Sequence, residues 1–282
     1  MADKNYATID DQKLKSYVEE LTEGDGYILL PQLFAPDDIA EARRIIMEES
    51  SKTENTVTHF QGGNEEKMRL QRRVWNLLNK GEVFVNMVQH PLVMQIVGSF
   101  LGDEFCLGSI AANRILPGGP GQQPHVDYPY WDMYKKKSFP HNINASYPLN
   151  CQVTVLLDDF TKDNGATAVL PGTQKLCRYP DANDEKKFFD EAVRMTGKAG
   201  DVAIFFGLVW HCAMPNESRG DRNAVLIQYL PKFIKPMEDQ KNGVSKSVFE
   251  KATPTLKRLL GYDYPYPQLL ETAEGGNTEG RS

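Results

Sequence analysis

Residues 200–231 read GDVAIFFGLVWHCAMPNESRGDRNAVLIQYLP, and this stretch decides how the chain folds. Two β-rich runs, GDVAIFFG and NAVLIQYL, flank a turn rich in Pro, Asn, Ser and Gly, the pattern of strands bounded by turn residues. Upstream, FCLGSIAANRIL, NCQVTVLLDD and ATAVLPGT repeat that texture after residue 104. Before it the periodicity is helical. Leu14, Tyr17, Val18 and Leu21 share one face and stop at Gly24 and Gly26. YILL is a short buried strand, and APDDIAEARRIIMEES starts with Pro36 and Asp37 in capping position and turns Ile39, Ala42, Ile46 and Met47 to one side. Residues 72–84 and 91–101 read as further helices, the second closed by Gly102, and KSVFEKATPTLKRLLG gives a last helical pattern. Helices first and strands later point to an antiparallel sandwich or barrel braced by helices, not an alternating βαβ fold.

At 282 residues the chain suits one hydrophobic core, so a single domain over 1–270 is expected, with the polar, Gly-rich 271–282 as a disordered tail. A net charge of −6 without a basic block argues against nucleic acid as a partner, and none is expected, because phosphate binding needs clustered Lys and Arg. The longest apolar run, residues 92–101, is far short of the ~20 residues that span a bilayer. The first residues carry no apolar signal core, and Cys106, Cys151, Cys177 and Cys212 form no CxxC pair. Free thiols in a reducing cytoplasm are therefore expected. No phosphate-binding Gly loop follows any strand, and no Ser-His-Asp or Cys-His arrangement offers a nucleophile.

Chemistry concentrates in QQPHVDYPYWDMY, residues 122–134. His125 and Asp127 are two apart, so on extended backbone they project to the same face. Two such ligands make a poor metal site alone; a second His from a neighbouring strand completes a facial triad with three positions open on Fe(II). Of the five histidines, His211 is the one at the end of a core strand. Arg222, eleven residues later at the mouth of the next strand, suits a bidentate carboxylate clamp. Arg219 competes, but in the turn it reads as a solvated charge. Arg72 and Arg73 read as surface residues, with reach into the pocket as the alternative, Trp210 as core, and the thiol of Cys212 as inert.

Three blocks in order, QQPHVD, DNGATAVLPGTQ and GDVAIFFGLVWHCAMPNESRGDRNAVLIQY, together with the opening GDGYILLPQLFAPDDIAEARR, resemble the phytanoyl-CoA dioxygenase family of Fe(II)/2-oxoglutarate oxygenases. The resemblance spans roughly residues 15–235. It implies a mainly β fold with flanking helices, the double-stranded β-helix (jelly roll, cupin-like). It implies Fe(II) held by His125, Asp127 and His211, 2-oxoglutarate and O₂ as cosubstrates, and Arg222 on the distal carboxylate, with Gln122 and Thr167 nearby. No catalytic side chain is expected beyond the metal site. Gln174 stands where many relatives have His, which reads as a structural difference in the turn. The carboxylate at 127 favours hydroxylation over halogenation, since halogenating relatives carry Gly or Ala there.

The aromatic run after the ligands, Tyr130, Trp131 and Tyr134, is expected to line part of a small-molecule pocket, and the polar segment 128–149 has the length of a lid. Lys135, Lys136 and Lys137 read as a solvated face. Two alternatives share the same ligands: a Zn- or Mn-dependent hydrolase or isomerase of cupin type, and a non-catalytic metal-binding module. Neither needs a carboxylate clamp. Substrate identity and oligomeric state are not readable from the chain.

Overall fold

The computed structural model describes residues 9–52, 69–127 and 148–262, together with the backbone of two short paired strands at Leu270–Glu271 and Asn277–Thr278. Its centre is a six-stranded antiparallel sheet formed by β1 (Tyr27–Leu30), β2 (Gln71–Val74), β3 (Phe105–Ile115), β4 (Cys151–Leu156), β7 (Val202–Phe206) and β9 (Arg222–Pro231), in the order β1-β7-β4-β9-β3-β2. A smaller sheet has the order β6 (Val193–Arg194), β5 (Ala168–Leu170), β8 (Trp210–Cys212), and His125 bridges to His211 beyond β8. Val169 of the small sheet packs with Ala203 and Phe205 of the large one, so the two sheets face each other. This is the expected jelly roll.

Helices cover the other face of the large sheet. α1 (Asp11–Thr22) is capped by Asp10, whose carboxylate accepts the Lys13 N–H at 2.7 Å. α2 (Pro36–Ser51) has Pro36 in its first turn and Asp37 and Asp38 there to favour the positive end of the dipole; its N-cap is Ala35, which makes no side-chain cap bond, so capping by Asp37 is corrected. α3 (Glu82–Met87) and α4 (Pro91–Leu101) follow, α4 ending at Gly102 with φ +88° as read. Leu21, Ile39, Ala42, Ile46, Phe84, Val93 and Ile96 bury against Ile110, Val153, Val155, Ile204, Val225, Ile227 and Tyr229 in one core. Each such side chain contributes about 1.5–3 kcal/mol when fully buried.

The segment read as a helix over 72–84 is a correction. Residues 71–74 form an edge strand, with Arg72 opposite Arg114 and Arg73 opposite Asn113. Asn76, at φ +60°, then breaks the run, a single 3-10 turn covers Leu77–Asn79, and α-helix begins only at Glu82. Long-range pairing overrides local propensity here. The last helical pattern resolves into α7 (Lys246–Glu250) and α8 (Pro254–Leu259); two helices not read from the sequence precede them, α5 (Asp184–Glu191) between β5 and β6, and α6 (Gln240–Gly243).

The inner face of the large sheet is unlike the outer one. Alternation places Ser109, Ala111 and Asn113 of β3, Gln152 and Thr154 of β4, Ala203 and Phe205 of β7, and Arg222, Leu226 and Gln228 of β9 on it. The polar members are all buried.

β3 bulges between Leu107 and Ser109, and Gly108 O accepts the N–H groups of Met237 and Glu238 at 3.0 and 3.1 Å. The Glu238 carboxylate accepts the Ile110 N–H at 2.7 Å. Burial raises its pKa against the lowering effect of bonds from Ile110, Ser109 and Asn76. A carboxyl raised in the folded state contributes stability that is present at acid pH and lost as pH rises through the folded value. Glu238→Gln keeps the acceptor and removes the charge. Its melting temperature is expected to exceed wild type at pH 8, with the gain shrinking toward pH 4; a gain independent of pH would remove this explanation.

Candidate active site

The strand carrying the first two ligands is short and held entirely by its neighbours. His125 and His211 exchange both backbone hydrogen bonds at 3.0 Å. Two steps further, Asp127 N–H donates to Gly207 O at 2.9 Å. On the other side, Gln122 N–H donates to Ala213 O at 2.8 Å, and Gln122 Oε1 accepts the Ala213 N–H at 2.9 Å. Gln122 thus braces this strand to β8, a positioning task for the residue expected beside the cosubstrate.

Asp127 reaches both imidazoles. Its Oδ1 lies 3.6 Å from His125 Nε2 and its Oδ2 3.3 Å from His211 Nε2. The ligand atoms of all three lie within 4.8 Å of one another. Donors at right angles on bonds of ~2.1 Å sit about 3.0 Å apart, so the spacing suits a single ion after small adjustment. Each ring is fixed from behind: His125 Nδ1 lies 2.7 Å from Gln123 O and His211 Nδ1 2.9 Å from Val209 O. A carbonyl only accepts, so each Nδ1 carries the proton and each Nε2 presents its lone pair inward. Phe205 stands edge-on to His211 with ring centroids 4.8 Å apart.

Burial alone would raise Asp127, yet His211 and His125 hold its carboxyl well below the usual range. Burial likewise opposes charge on His211, and Asp127 outweighs it and raises the imidazole. An ionised carboxylate and two inward lone pairs form a donor set for a divalent cation.

Arg222 opens β9 and is buried, with 3% of its surface exposed. Its Nη1 donates to Gly165 O, its guanidinium lies 4.8 Å over the Phe160 ring, and its Nε has no hydrogen-bond partner among the described residues. Burial, reinforced by repulsion from Arg73 and Arg194 and opposed by Asp158, lowers its pKa to about 9. A buried guanidinium with an orphaned N–H fits an anionic ligand group. Arg73, half-buried and opposite Asn113 on the inner face, adds its charge to this end, as the alternative to its surface reading has it. Thr167 lies two residues before Val169, the cross-strand partner of His211, and so shares the metal-facing side.

Several motif residues turn out to be fasteners. Asp201 accepts from Gln32 N–H, Gln32 Nε2 and Lys198 N–H at 2.7–2.9 Å, tying the strand before His211 to the end of β1. Asn216 Nδ2 donates to Ile115 O at 3.0 Å and Gly220 O at 2.8 Å, setting the turn that delivers Arg222. Gly165 has φ +79°, and a Cβ there would lie 2.2 Å from Met214 O, so no other residue can offer its carbonyl to Arg222. Gln174 donates to Thr22 O and Gly24 O at 3.2 and 3.0 Å, the structural role read for it. Trp210 and Cys212 face away into a separate apolar cluster, and none of the four cysteines forms a disulfide. Arg219 is exposed. Tyr130, Trp131, Tyr134 and Lys135–Lys137 lie outside the described residues, so the pocket and lid readings on 128–147 are not carried further.

A sequence model of the phytanoyl-CoA dioxygenase family (PhyH) matches residues 22–224. The chain belongs to the phytanoyl-CoA dioxygenase family. As a member, it is an iron- and 2-oxoglutarate-dependent oxygenase. It is 24% identical over 252 residues to the dioxygenase trt7 of Aspergillus terreus, covering 86% of this chain and 82% of that protein. With the dioxygenase af480 of Aspergillus fumigatus it shares 25% over 199 residues, 68% of this chain and 59% of the other. Among solved structures, the α-ketoglutarate-dependent epimerase SnoN of nogalamycin biosynthesis, in complex with Fe3+, α-ketoglutarate and nogalamycin RO, superposes with a TM-score of 0.62 at 17% identity, over 80% of this chain and 88% of that one. That likeness establishes the shared phytanoyl-CoA dioxygenase-type fold. Among the described residues no helix is long and apolar enough to cross a membrane.

Proposed function

We propose that this protein hydroxylates an unactivated C–H bond of a small molecule, coupled to decarboxylation of 2-oxoglutarate to succinate and CO₂. The observation that carries the reading is the convergence of His125, Asp127 and His211 with an inner-face Arg222 whose Nε is unsatisfied. His125, Asp127 and His211 would hold Fe(II) on one face, and Arg222 would receive the distal carboxylate of 2-oxoglutarate. Bound iron with 2-oxoglutarate supplies the reductive activation of O₂ that places one oxygen atom in succinate and the other in the product. The chain's own part is geometric. The Nδ1 bonds hold both imidazoles in the ligating tautomer, Phe205 fixes the rotation of His211, and Gln122 keeps the ligand strand against β8. Thr167 adds a hydroxyl on the metal side. The polar wall and sheet sandwich limit water around the reacting groups.

Arg222 weighs against a Zn- or Mn-dependent hydrolase of the same ligand set, which needs no second anion clamp. An intact carboxylate at 127 leaves no coordination position vacated for a halide. The deciding experiment titrates 2-oxoglutarate into the protein with anaerobic Fe(II) and follows the weak visible charge-transfer band, then admits O₂ and measures succinate. Mass analysis of the product separates outcomes: a gain of one oxygen supports hydroxylation, a loss of two hydrogens indicates desaturation or ring closure, and unchanged mass with altered stereochemistry indicates epimerisation, the reaction named for SnoN. No band with metal bound sinks the oxygenase reading.

A further inference from the structure

Asn150 has no part in the functions assigned so far. It stands immediately before β4, one step beyond the Cys151–Phe206 pair, which brings it to Gly207 at the end of β7. Gln152, two residues on, projects to the inner face beside Phe205, so Asn150 projects there too. Its side chain is completely buried, at 0% exposure. Nδ2 donates to the main-chain oxygen of Asp127 at 3.3 Å, while Oδ1 has no hydrogen-bond partner among the described residues.

Three elements meet at this carboxamide. The ligand strand arrives at Asp127, whose N–H donates to Gly207 O at 2.9 Å. Gly207 begins the turn between β7 and β8, closed by the Val209 N–H on Phe206 O at 2.9 Å, and His211 follows it. Asn150 lies across that turn. A Cβ at Gly207 would come 2.7, 2.8 and 3.0 Å from Cγ, Nδ2 and Oδ1 of Asn150, its three nearest atoms. Gly207 does not have a positive φ, so its backbone suits any residue and the bare Cα answers to the amide that crosses it. Both main-chain polar groups of Asp127 are thus gripped, the N–H by Gly207 and the C=O by Asn150. The carboxylate between them is the one whose Oδ2 lies 3.3 Å from His211 Nε2.

Burying an amide oxygen that accepts nothing destabilises the fold, and leucine has the same branched shape without that penalty. Stability alone does not account for a carboxamide at 150. We infer that Asn150 is a positioning residue for the metal: through the Asp127 carbonyl it sets the direction from which the Asp127 carboxylate meets the ion, and Gly207 is glycine to let it reach. The inference rests on the ligand set of the proposed function and deepens it. Cys151 pairs with Tyr229 near the end of β9, whereas Arg222 opens that strand, so this brace and the cosubstrate clamp stand at opposite ends of the large sheet. Their effects are separable.

The test compares the full chain with Asn150→Leu, Asn150→Ala, Gly207→Ala and the double variant Asn150→Ala/Gly207→Ala. Anaerobic equilibrium dialysis against Fe(II), and against Co(II) with its visible ligand-field spectrum, reads the metal site without turnover. Asn150→Leu and Gly207→Ala are each expected to weaken retention of both ions about tenfold, the effect typical of losing an outer partner of a metal ligand, and to alter the Co(II) spectrum. The metal-free melting temperature of Asn150→Leu is expected to be no lower than wild type. At saturating Fe(II), the midpoint of the 2-oxoglutarate titration of the visible band is expected to stay in place. In the Asn150→Ala background, Gly207→Ala is expected to add nothing, because the group it strikes is gone. Should Asn150→Leu fail to fold, Asn150→Ala and Gly207→Ala carry the same comparison. Wild-type retention of both ions in the folded variants, an unchanged Co(II) spectrum, or additive losses in the double variant overturn the inference. So does a lower metal-free melting temperature with wild-type retention, which makes Asn150 a fastener of the frame. In those cases an intact wild-type band leaves the oxygenase reading standing. Wild type that holds metal without the band sinks that reading, and the variants' retention still decides the role of Asn150. Wild type that retains neither ion sinks both.

Discussion

Replacing His211 with alanine abolishes the visible band formed by anaerobic Fe(II) and 2-oxoglutarate and lowers succinate formation by at least ~10³-fold, about 4 kcal/mol of lost transition-state stabilisation. The effect is large because the site has only three protein ligands. His211 is also the ring against which Phe205 packs and the backbone partner of His125. Deleting its side chain leaves Asp127 with His125 at 3.6 Å as its remaining imidazole neighbour. The backbone bonds between the two strands do not depend on the ring, so circular dichroism and melting cooperativity should stay native. A His211→Ala protein that keeps the band identifies a different ligand set.

The second large effect falls on Arg222. Charge-assisted hydrogen bonds contribute about 1.5–3 kcal/mol each, so Arg222→Met should raise the 2-oxoglutarate KM by about a hundredfold or more. It should do so while leaving iron retention in dialysis near wild type, since Arg222 is not a metal ligand. Thermal stability supplies a separate reading. The guanidinium pays for burial in the ligand-free protein, which lowers its pKa to about 9, so methionine there is expected to melt no lower than wild type. Ligand binding to the folded state alone adds about 2.7 kcal/mol at a hundred times Kd. Millimolar 2-oxoglutarate should therefore raise the melting temperature of wild type by several degrees and that of Arg222→Met by almost none. An equal shift in both proteins moves the carboxylate site elsewhere, with Arg73 the first residue to examine.

The cluster of His125, Asp127 and His211 was legible because local spacing announces it, His125 and Asp127 two apart and His211 before a turn, while Arg222 was marked by its place at the mouth of the following run and its clamp role is a proposal. An antiparallel sandwich or barrel braced by helices was legible from the order of textures along the chain, and the jelly roll from the family resemblance. The rest failed for identifiable reasons. Residues 72–84 carry a helical pattern that loses to an edge pairing with β3, and no local signal announces a partner some forty residues away. The inward face of Arg73 follows from that pairing alone, so the sequence left its placement between surface and pocket open. Gln152, Thr154 and Gln228 sit at alternate positions in runs recognised as strands. Their period-2 polarity was visible, but which face it marked depended on where the helices packed. Motif residues that look functional by family resemblance divide physically: Asp201, Asn216, Gly165 and Gln174 are spent on hydrogen bonds or tight turns that hold the frame.

The rings of His125 and His211 have each committed one nitrogen to a carbonyl two residues upstream in their own strand. The socket is thus shaped before any occupant arrives, and it distinguishes poorly among small divalent ions. Zinc, copper and nickel stand above ferrous iron in intrinsic affinity for nitrogen and oxygen donors. They will take the seat wherever they are present during isolation. Affinity tags charged with nickel, or buffers carrying trace zinc, are expected to yield intact but silent protein, revived by chelation and anaerobic reloading with ferrous salt. The ion counted in a freshly purified sample records its handling, and only the reloaded protein reports on chemistry.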